Sequence, residues 1–243
     1  MITLIGTGHV FDLSQALLEI LDERQPQVVG VELDRQRYKG LMLKATRPPG
    51  TQKKARGQPM LYRLLGRFQE SMAEEYGVTA GSEMLLGITY AQSHQLPLEF
   101  LDMDAQRLFS EMLKKMSFWE KLRLVMSGIG GLFVSRERVE DELQKIEGGF
   151  DEYLEVIAER FPTIKEVLID RRNDHMAQRL LGLSYHFDNI VALVGDGHIP
   201  GLSQLLETYE VGYETVRLST LRQMQTRTVD ASRGSFSIQY SMD

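Results

Sequence analysis

Two segments of the chain repeat one pattern, in which a short apolar run leads through a glycine-rich turn to a histidine. The first begins at Leu4 and reads Leu-Ile-Gly-Thr-Gly-His, and the second begins at Leu193 and reads Leu-Val-Gly-Asp-Gly-His. After both histidines the order Leu, Ser, Gln recurs as well. Each copy predicts a buried strand, a tight turn and the start of a helix. Repetition of the whole unit predicts a fold built from two related halves.

The order of apolar and helical segments around these copies predicts the α/β class. Apolar runs of strand length begin near Ile2, Val28, Leu98, Asn189 and Tyr213. A helical segment separates the first two runs, and this strand–helix–strand order favours parallel strands with a right-handed crossover. We therefore predict one domain over residues 1–243, with a mixed, mostly parallel sheet and a large helical insertion at about residues 105–185.

The composition excludes several kinds of site. The chain has no cysteine, so it has no disulfide, iron–sulfur cluster, cysteine zinc site or thiol nucleophile. Any metal ion must therefore be held by histidine and carboxylate side chains. The sequence also lacks the motifs of a serine-hydrolase elbow, a zincin and a P-loop. A dinucleotide fingerprint is incomplete, because Phe11 and Pro200 stand where the third glycine belongs.

The charge distribution is uneven, although the net charge is only −6. Residues 35–67 carry ten Lys and Arg and no Asp or Glu. This basic segment is either a solvated loop or a patch that contacts an anionic membrane surface or an acidic partner. It is also a candidate for assembly into a homo-oligomer. The overall acidity of the chain argues against nucleic acid as a partner.

No window of the sequence has the length and apolarity of a secretory signal or a membrane-spanning helix. The stretch from Leu122 to Val134 is apolar but short and rich in glycine. It predicts a buried helix end or a hinge, with interfacial membrane contact as the alternative. We expect a soluble, cytoplasmic protein. Peripheral membrane association, or a place as the soluble domain of a longer membrane protein, is the alternative location.

The two repeated histidines are the strongest candidates for a chemical role. His9 and His198 each follow a predicted strand through a glycine-rich turn, which places them at the edge of a parallel sheet where ligands gather. Glu32 ends the second predicted strand at the same edge. Two histidines and one carboxylate form a three-ligand set for a divalent ion such as Mn²⁺, Co²⁺ or Zn²⁺, with positions left open for water. The alternative is that each histidine is a structural turn residue.

These motifs together resemble the TraB/PrgY family, which is related to the Tiki proteins. The resemblance rests on the two G-x-x-H motifs, on the strand motif Val31–Asp34 followed by Arg37, and on the segment Gly81–Met84. It implies the fold of the erythromycin esterase and ChaN-like proteins. Through the Tiki proteins it implies a metal-dependent peptidase, whereas TraB and PrgY are linked to the shutdown of a peptide pheromone.

The resemblance also implies roles for individual residues. His9 and His198 would be metal ligands, and Glu32 would be a ligand or a general base. Apart from the resemblance, the charge of Arg37 and Arg172 suits them to bind a carbonyl oxyanion or a substrate carboxylate, and the alternative is that they are surface or ion-pair residues. The chain departs from the family pattern where an acidic–Arg–acidic triplet is expected, because the triplet here is Asp-Met-Asp, starting at Asp102.

Several other polar residues have two interpretations. Glu83 is either a further carboxylate in the crevice or a residue that stabilises the helix dipole at the start of a helix. Asp34, Asp102 and Asp104 are expected to cap helices or to form ion pairs. His94, His175 and His186 lie outside the repeat, and structural roles are expected for them.

The sequence therefore predicts a metal-dependent hydrolase that acts on a peptide or another small amide or ester. The alternative is a protein that binds a peptide or small ligand in the same crevice without turnover. A third interpretation makes assembly or membrane docking the main task of the chain.

Overall fold

The fold contains a five-stranded parallel sheet. A computed structural model describes residues 1–8, 13–45, 82–123 and 159–234. The strands of these residues are β1 (Ile2–Thr7), β2 (Val28–Val31), β3 (Leu98–Phe100), β4 (Ile190–Gly195) and β5 (Tyr213–Val216). Their order across the sheet is β3-β2-β4-β1-β5, and every neighbouring pair is parallel. The predicted α/β class is confirmed, and the sheet is parallel throughout the described residues rather than mixed.

Helices connect and cover the strands. They are α1 (Ser14–Arg24), α2 (Arg35–Ala45), α3 (Ser82–Ser93), α4 (Ala105–Lys115), α5 (Pro162–Lys165), α6 (Arg171–Ser184), α7 (Ile199–Thr208) and α8 (Leu218–Gly234). A π-helix at Glu166–Asp170 joins α5 to α6, and a 3₁₀ turn at Asp196–His198 joins β4 to α7.

The two faces of the sheet carry different helices. On one face α1, α3 and α8 pack over β1, β2 and β4, and on the other face α6 and α7 pack over the same strands. The first two connections, from β1 to β2 and from β2 to β3, run towards the β3 edge of the sheet. The next two, from β3 to β4 and from β4 to β5, run towards the β5 edge. Right-handed crossovers place helices on opposite faces when the direction reverses. The chain therefore leaves β4 towards one face and its neighbours β1 and β2 towards the other.

The burial of the strands explains why they are continuous apolar runs. All six residues of β1 and all four of β2 are buried, as are the first five of β4. Helices cover both faces, so no residue of a central strand has a solvent side and the alternation typical of half-exposed strands is absent. This arrangement fixes the carboxyl ends of β1, β2 and β4 side by side.

Two expectations about the rest of the chain can be compared with the structure. The basic segment does not begin as a loop, because Arg35–Ala45 forms helix α2, while residues 46–67 lie outside the described part. The predicted helical insertion contains α4, α5 and α6, and residues 124–158 within it are also outside. Of the apolar stretch from Leu122 to Val134, only the first two residues are described. Among the described helices none is long and apolar enough to cross a membrane.

Candidate functional site

Glu32 follows the last residue of β2, and both its backbone and its side chain bind the end of β4. Its backbone N–H donates to the Leu193 carbonyl at 2.9 Å and so continues the pairing of the two strands by one residue. Its side chain is buried, and Oε2 accepts a hydrogen bond from the backbone N–H of Gly195. The carboxylate is therefore fixed at the centre of the sheet's carboxyl edge, which is where the sequence places it.

His198 lies next to this carboxylate. It ends the 3₁₀ turn after β4 and is buried. Its Nδ1 lies 2.7 Å from Oδ1 of Asn173, and its Nε2 lies 3.5 Å from Oε1 of Glu32. Because an amide oxygen can only accept, Nδ1 carries the proton and donates it to Asn173. Nε2 is then the ring nitrogen that faces Glu32, as a donor when the ring is protonated and with its lone pair when the ring is neutral.

Asn173 reaches His198 because α6 and α7 approach each other closely. A Cβ atom on Gly201, in the first turns of α7, would overlap Nδ2 of Asn173. Glycine is therefore required at this position by the close packing of the two helices. The two sequence copies differ at this glycine, because Asp12 stands at the matching position of the first copy. Within the described residues, the close approach to Asn173 is seen for the second copy.

Arg172 binds the same oxygen of Glu32 that His198 faces. Its Nη2 donates to Oε1 of Glu32 and, at 2.8 Å, to Oδ2 of Asp102, while Nε donates to Oδ1 of Asp102 at 2.9 Å. Its Nη1 donates to the Leu168 carbonyl at 3.2 Å, inside the π-helix that precedes α6. A π-helix leaves carbonyls to be satisfied by other donors and is frequent at functional sites. Four of the five N–H groups of Arg172 are thus committed.

Asp102 is the residue of this site that the sequence analysis treated only as a cap or ion-pair partner. Its side chain is 2% exposed, and it accepts from Arg172 twice, from the Met103 N–H at 2.8 Å and from Nη1 of Arg37 at 3.2 Å. The expected ion-pair role is confirmed, and it joins both candidate arginines. The signal that could have found it is its place two residues after the end of β3, at the same sheet edge as Glu32.

The charges around Glu32 decide its ionisation. Burial by itself would raise the pKa of Glu32, but the charge of His198 in its imidazolium form, the charge of Arg172 and the hydrogen bonds from His198 and the Gly195 N–H hold the pKa well below its usual range. Burial opposes the charge of Arg172 too, but Glu32 and Asp102 raise its pKa above the ordinary value. The site therefore contains a stable pair of ionised groups.

The remaining predicted residues lie around this centre. Asp34 accepts from the N–H groups of Gln36 and Arg37 at the start of α2, and Asp104 accepts from the Arg107 N–H at the start of α4, which confirms their capping roles. Glu83 is buried in the first turn of α3, on the face of the sheet opposite Arg172. The predicted ligand His9 lies outside the described residues, which resume at Leu13.

Comparison with known proteins now identifies the family. The profile of the TraB/PrgY/gumN family matches residues 1–215. The chain belongs to this family. A curated relative from Methanocaldococcus jannaschii, an uncharacterized protein, is 31% identical over 216 residues, which cover 87% of this chain and 54% of the relative. The chain thus spans about half the length of that relative.

In this family member the aspartate of the second copy binds the start of α8 and lies close against the turn of the first copy. Asp196 accepts from Arg217 at 3.0 and 2.8 Å and from the Leu218 N–H at 2.8 Å, which fixes the start of α8. A Cβ atom on Gly6 of the first copy would overlap its carboxylate, and one on Gly8 would press on Leu218. The sequence repeat therefore corresponds to two adjacent strands, β1 and β4, whose turns contact each other.

The donor geometry around Glu32 and His198 fits one metal ion but supplies only part of a ligand set. Two ligands of a tetrahedral ion, each about 2.0–2.1 Å from it, lie about 3.4 Å apart, close to the 3.5 Å between Nε2 and Oε1. A ligand histidine also commonly donates its other N–H to an oxygen, as His198 does to Asn173. Over the ranges that the structure describes, no group of three His, Asp or Glu is placed to hold an ion.

Proposed function

We propose that this TraB/PrgY/gumN-family protein is a metal-dependent hydrolase of a peptide or another small amide or ester. His198 and Glu32 would hold the ion, and His9 is the third ligand in the proposal. The observation that carries it is the 3.5 Å separation of Nε2 and Oε1, together with the Asn173 contact that occupies Nδ1 and leaves Nε2 as the ring nitrogen next to Glu32. A divalent ion bound there would acidify a water molecule and polarise a substrate carbonyl.

The residues of the chain itself would prepare this site. Asn173 fixes the tautomer and the ring orientation of His198. Arg172 and the Gly195 N–H hold the two oxygens of Glu32 and keep the carboxylate ionised, as either a ligand or a proton acceptor requires. The carboxyl edge of β4, where neighbouring connections leave to opposite faces, is the usual place for a ligand in an open parallel sheet.

In this proposal Arg172 does not bind the oxyanion or the substrate carboxylate, and it takes the ion-pair role that the sequence left as the alternative. Four of its N–H groups donate to Asp102, Glu32 and the Leu168 carbonyl. A residue so committed orients Glu32 and has little capacity to bind an oxyanion. In this proposal Arg172 is therefore a positioning residue.

One observation favours binding without turnover as the second candidate. Both oxygens of Glu32 already accept hydrogen bonds from protein groups, one from Arg172 and one from Gly195. The carboxylate is thus satisfied without an ion. In that case the same crevice would retain a peptide or small ligand, and the Glu32–Arg172 pair would be structural.

A hydrolysis assay with metal replacement separates the two candidates. The protein is stripped with EDTA, Mn²⁺, Co²⁺ or Zn²⁺ is restored in turn, and cleavage of a mixed peptide library is followed by mass spectrometry. We expect cleavage that EDTA abolishes and one of the ions restores, and that His198→Ala removes. His186→Ala, at an exposed histidine outside the site, is the matched control and should retain cleavage. Peptides that are bound but not cleaved with any of the ions would favour the second candidate.

A further inference from the structure

The two arginines that meet at Asp102 differ in how many hydrogen-bond donors they leave available. Arg172 is 15% exposed in its side chain and has committed four of its five N–H groups. Arg37 is 40% exposed, and its guanidinium makes one hydrogen bond with the described residues, from Nη1 to Asp102. Four N–H groups of Arg37 therefore remain for a partner outside this network.

Arg37 is held close to the Glu32–His198 centre. Its backbone N–H donates to Asp34 at 2.9 Å, which fixes it in the first turn of α2. Its Nη1 and the Nη2 of Arg172 bind the same oxygen of Asp102, so these two nitrogens lie within about 6 Å of each other. The same Nη2 donates to Glu32. A ligand at Glu32 and His198 can thus extend to the guanidinium of Arg37.

The charge balance of this cluster suits an anionic ligand once a cation has bound. Two carboxylates, Glu32 and Asp102, face the two guanidinium groups of Arg172 and Arg37. The four groups are electrically neutral together, and a divalent ion beside them leaves an excess of positive charge. The available donors of Arg37 are then the groups of this cluster that can form a planar, two-bond contact with a carboxylate.

We propose that Arg37 binds a free carboxylate of the substrate and thereby selects peptides, or other amides and esters, that carry a carboxylate near the bond to be cleaved. The inference rests on the proposed function, which supplies the position of that bond. Asp102 holds Arg37 in place through one N–H of Nη1, and the guanidinium makes no other hydrogen bond to the part of the chain that the structure describes.

The test compares two probes that differ only in this group, N-acetyl-alanyl-alanine and its C-terminal amide. Their dissociation constants are measured by titration calorimetry with the purified protein in the presence of Mn²⁺, and their hydrolysis is followed in parallel. We expect the acid to bind at least about tenfold more tightly than the amide, since only the acid can form a charge-assisted, two-bond contact with the guanidinium. Arg37→Gln should reduce the preference to less than about twofold, and Arg37→Lys, which keeps the charge but not the planar fork, should leave an intermediate value.

Arg107→Gln is the matched control, since Arg107 is an exposed arginine that pairs with Glu111 on α4. It should retain the full preference. Equal binding of acid and amide to the unaltered protein, or no binding of either, would overturn the assignment of Arg37. A preference that survives in Arg37→Gln would also overturn it, because the carboxylate would then bind elsewhere, for example at the ion.

Failure of this proposal and failure of the proposed function give different results. If the carboxylate preference depends on Arg37 but neither probe nor any library peptide is cleaved, Arg37 is a ligand-binding residue and hydrolysis is wrong. If both probes are cleaved at equal rates in the unaltered protein and in Arg37→Gln, hydrolysis stands and Arg37 has no part in selection.

Discussion

Nε2 of His198 lies 3.5 Å from Oε1 of Glu32, although the two residues are far apart in the chain. Parallel pairing of β2 with β4 brings them together, because each follows its strand at the same edge. Asn173 then fixes the ring of His198, and Arg172 fixes the carboxylate of Glu32. The arrangement makes several quantitative predictions about stability and metal binding.

Replacing Gly201 by alanine should destabilise the fold. The added Cβ overlaps Asn173 Nδ2, so the Asn173 side chain must turn away from His198 or α6 and α7 must separate, at a cost of about 1–3 kcal/mol in the free energy of unfolding. Gly182→Ala is the matched control, since nothing lies within 4 Å of the added atom. That substitution should be neutral or stabilise α6 by up to about 1 kcal/mol. Urea denaturation of both variants measures the difference, and equal effects would contradict the close packing at Gly201.

Replacing Arg172 by glutamine should lower the free energy of unfolding by more than Gly201→Ala does. Glu32 and Asp102 would keep their buried negative charges without their main partner, and breaking a buried pair in this way costs about 3–5 kcal/mol. Arg179→Gln removes an exposed ion pair with Glu99 and should cost about 0–1 kcal/mol. Chemical denaturation of the two variants checks this. A small effect at Arg172 would mean that the carboxylates find other partners.

Replacing Asn173 by alanine should weaken metal binding more than it weakens the fold. His198 would lose the acceptor that fixes its Nδ1 proton, and loss of such an outer contact typically reduces metal affinity by about 10–100-fold. Competition with a fluorescent chelator measures the affinity. Asn173→Asp, which keeps an oxygen acceptor, should retain most of it. Equal affinity of the alanine variant and the unaltered protein would show that this contact does not tune the site.

The free energy of unfolding should fall at acid pH, and protonation of Glu32 should account for part of the loss. Its pKa in the folded protein is depressed, so its contribution is fully present above the unfolded pKa of about 4.3 and is lost as the pH falls through the folded value. Glu32→Gln removes this titration. The free energy of unfolding of that variant should therefore change less between pH 5 and about pH 3 than that of the unaltered protein. Parallel slopes would mean that Glu32 is not held ionised in the fold.

The strands, and the placement of Glu32 and His198 at one edge of the sheet, could be predicted because short patterns in the sequence indicate where each strand ends. Continuous apolar runs mark β1, β2 and β4, and glycine-rich turns mark the points where the chain leaves two of these strands. Parallel topology then places the residues after each strand at one edge. No local signal shows that β1 lies next to β4, or that the helices after β4 cover the opposite face from those after β1 and β2. Both features follow from the order of the strands in the sheet.

The roles of Arg172 and Asp102 could not be derived in the same way. The π-helix at Glu166–Asp170 has no sequence signature, yet it places Leu168 and Arg172 so that the side chain reaches Glu32. The bidentate pair with Asp102 joins β3 to α6 and depends on the three-dimensional packing of distant elements. The basic charge of residues 35–45 suggested a loop and obscured the helix that Asp34 caps.

Direct measurement of ion binding tests the central claim. Titration of the metal-free protein with Co²⁺, followed by its visible absorption, reports both stoichiometry and coordination. We expect one ion per chain in a site of nitrogen and oxygen ligands, lost in His9→Ala, His198→Ala and Glu32→Gln and retained in His186→Ala. A protein that binds no ion, or that binds it equally well after His198→Ala and Glu32→Gln, would contradict a metal centre at the carboxyl ends of β2 and β4.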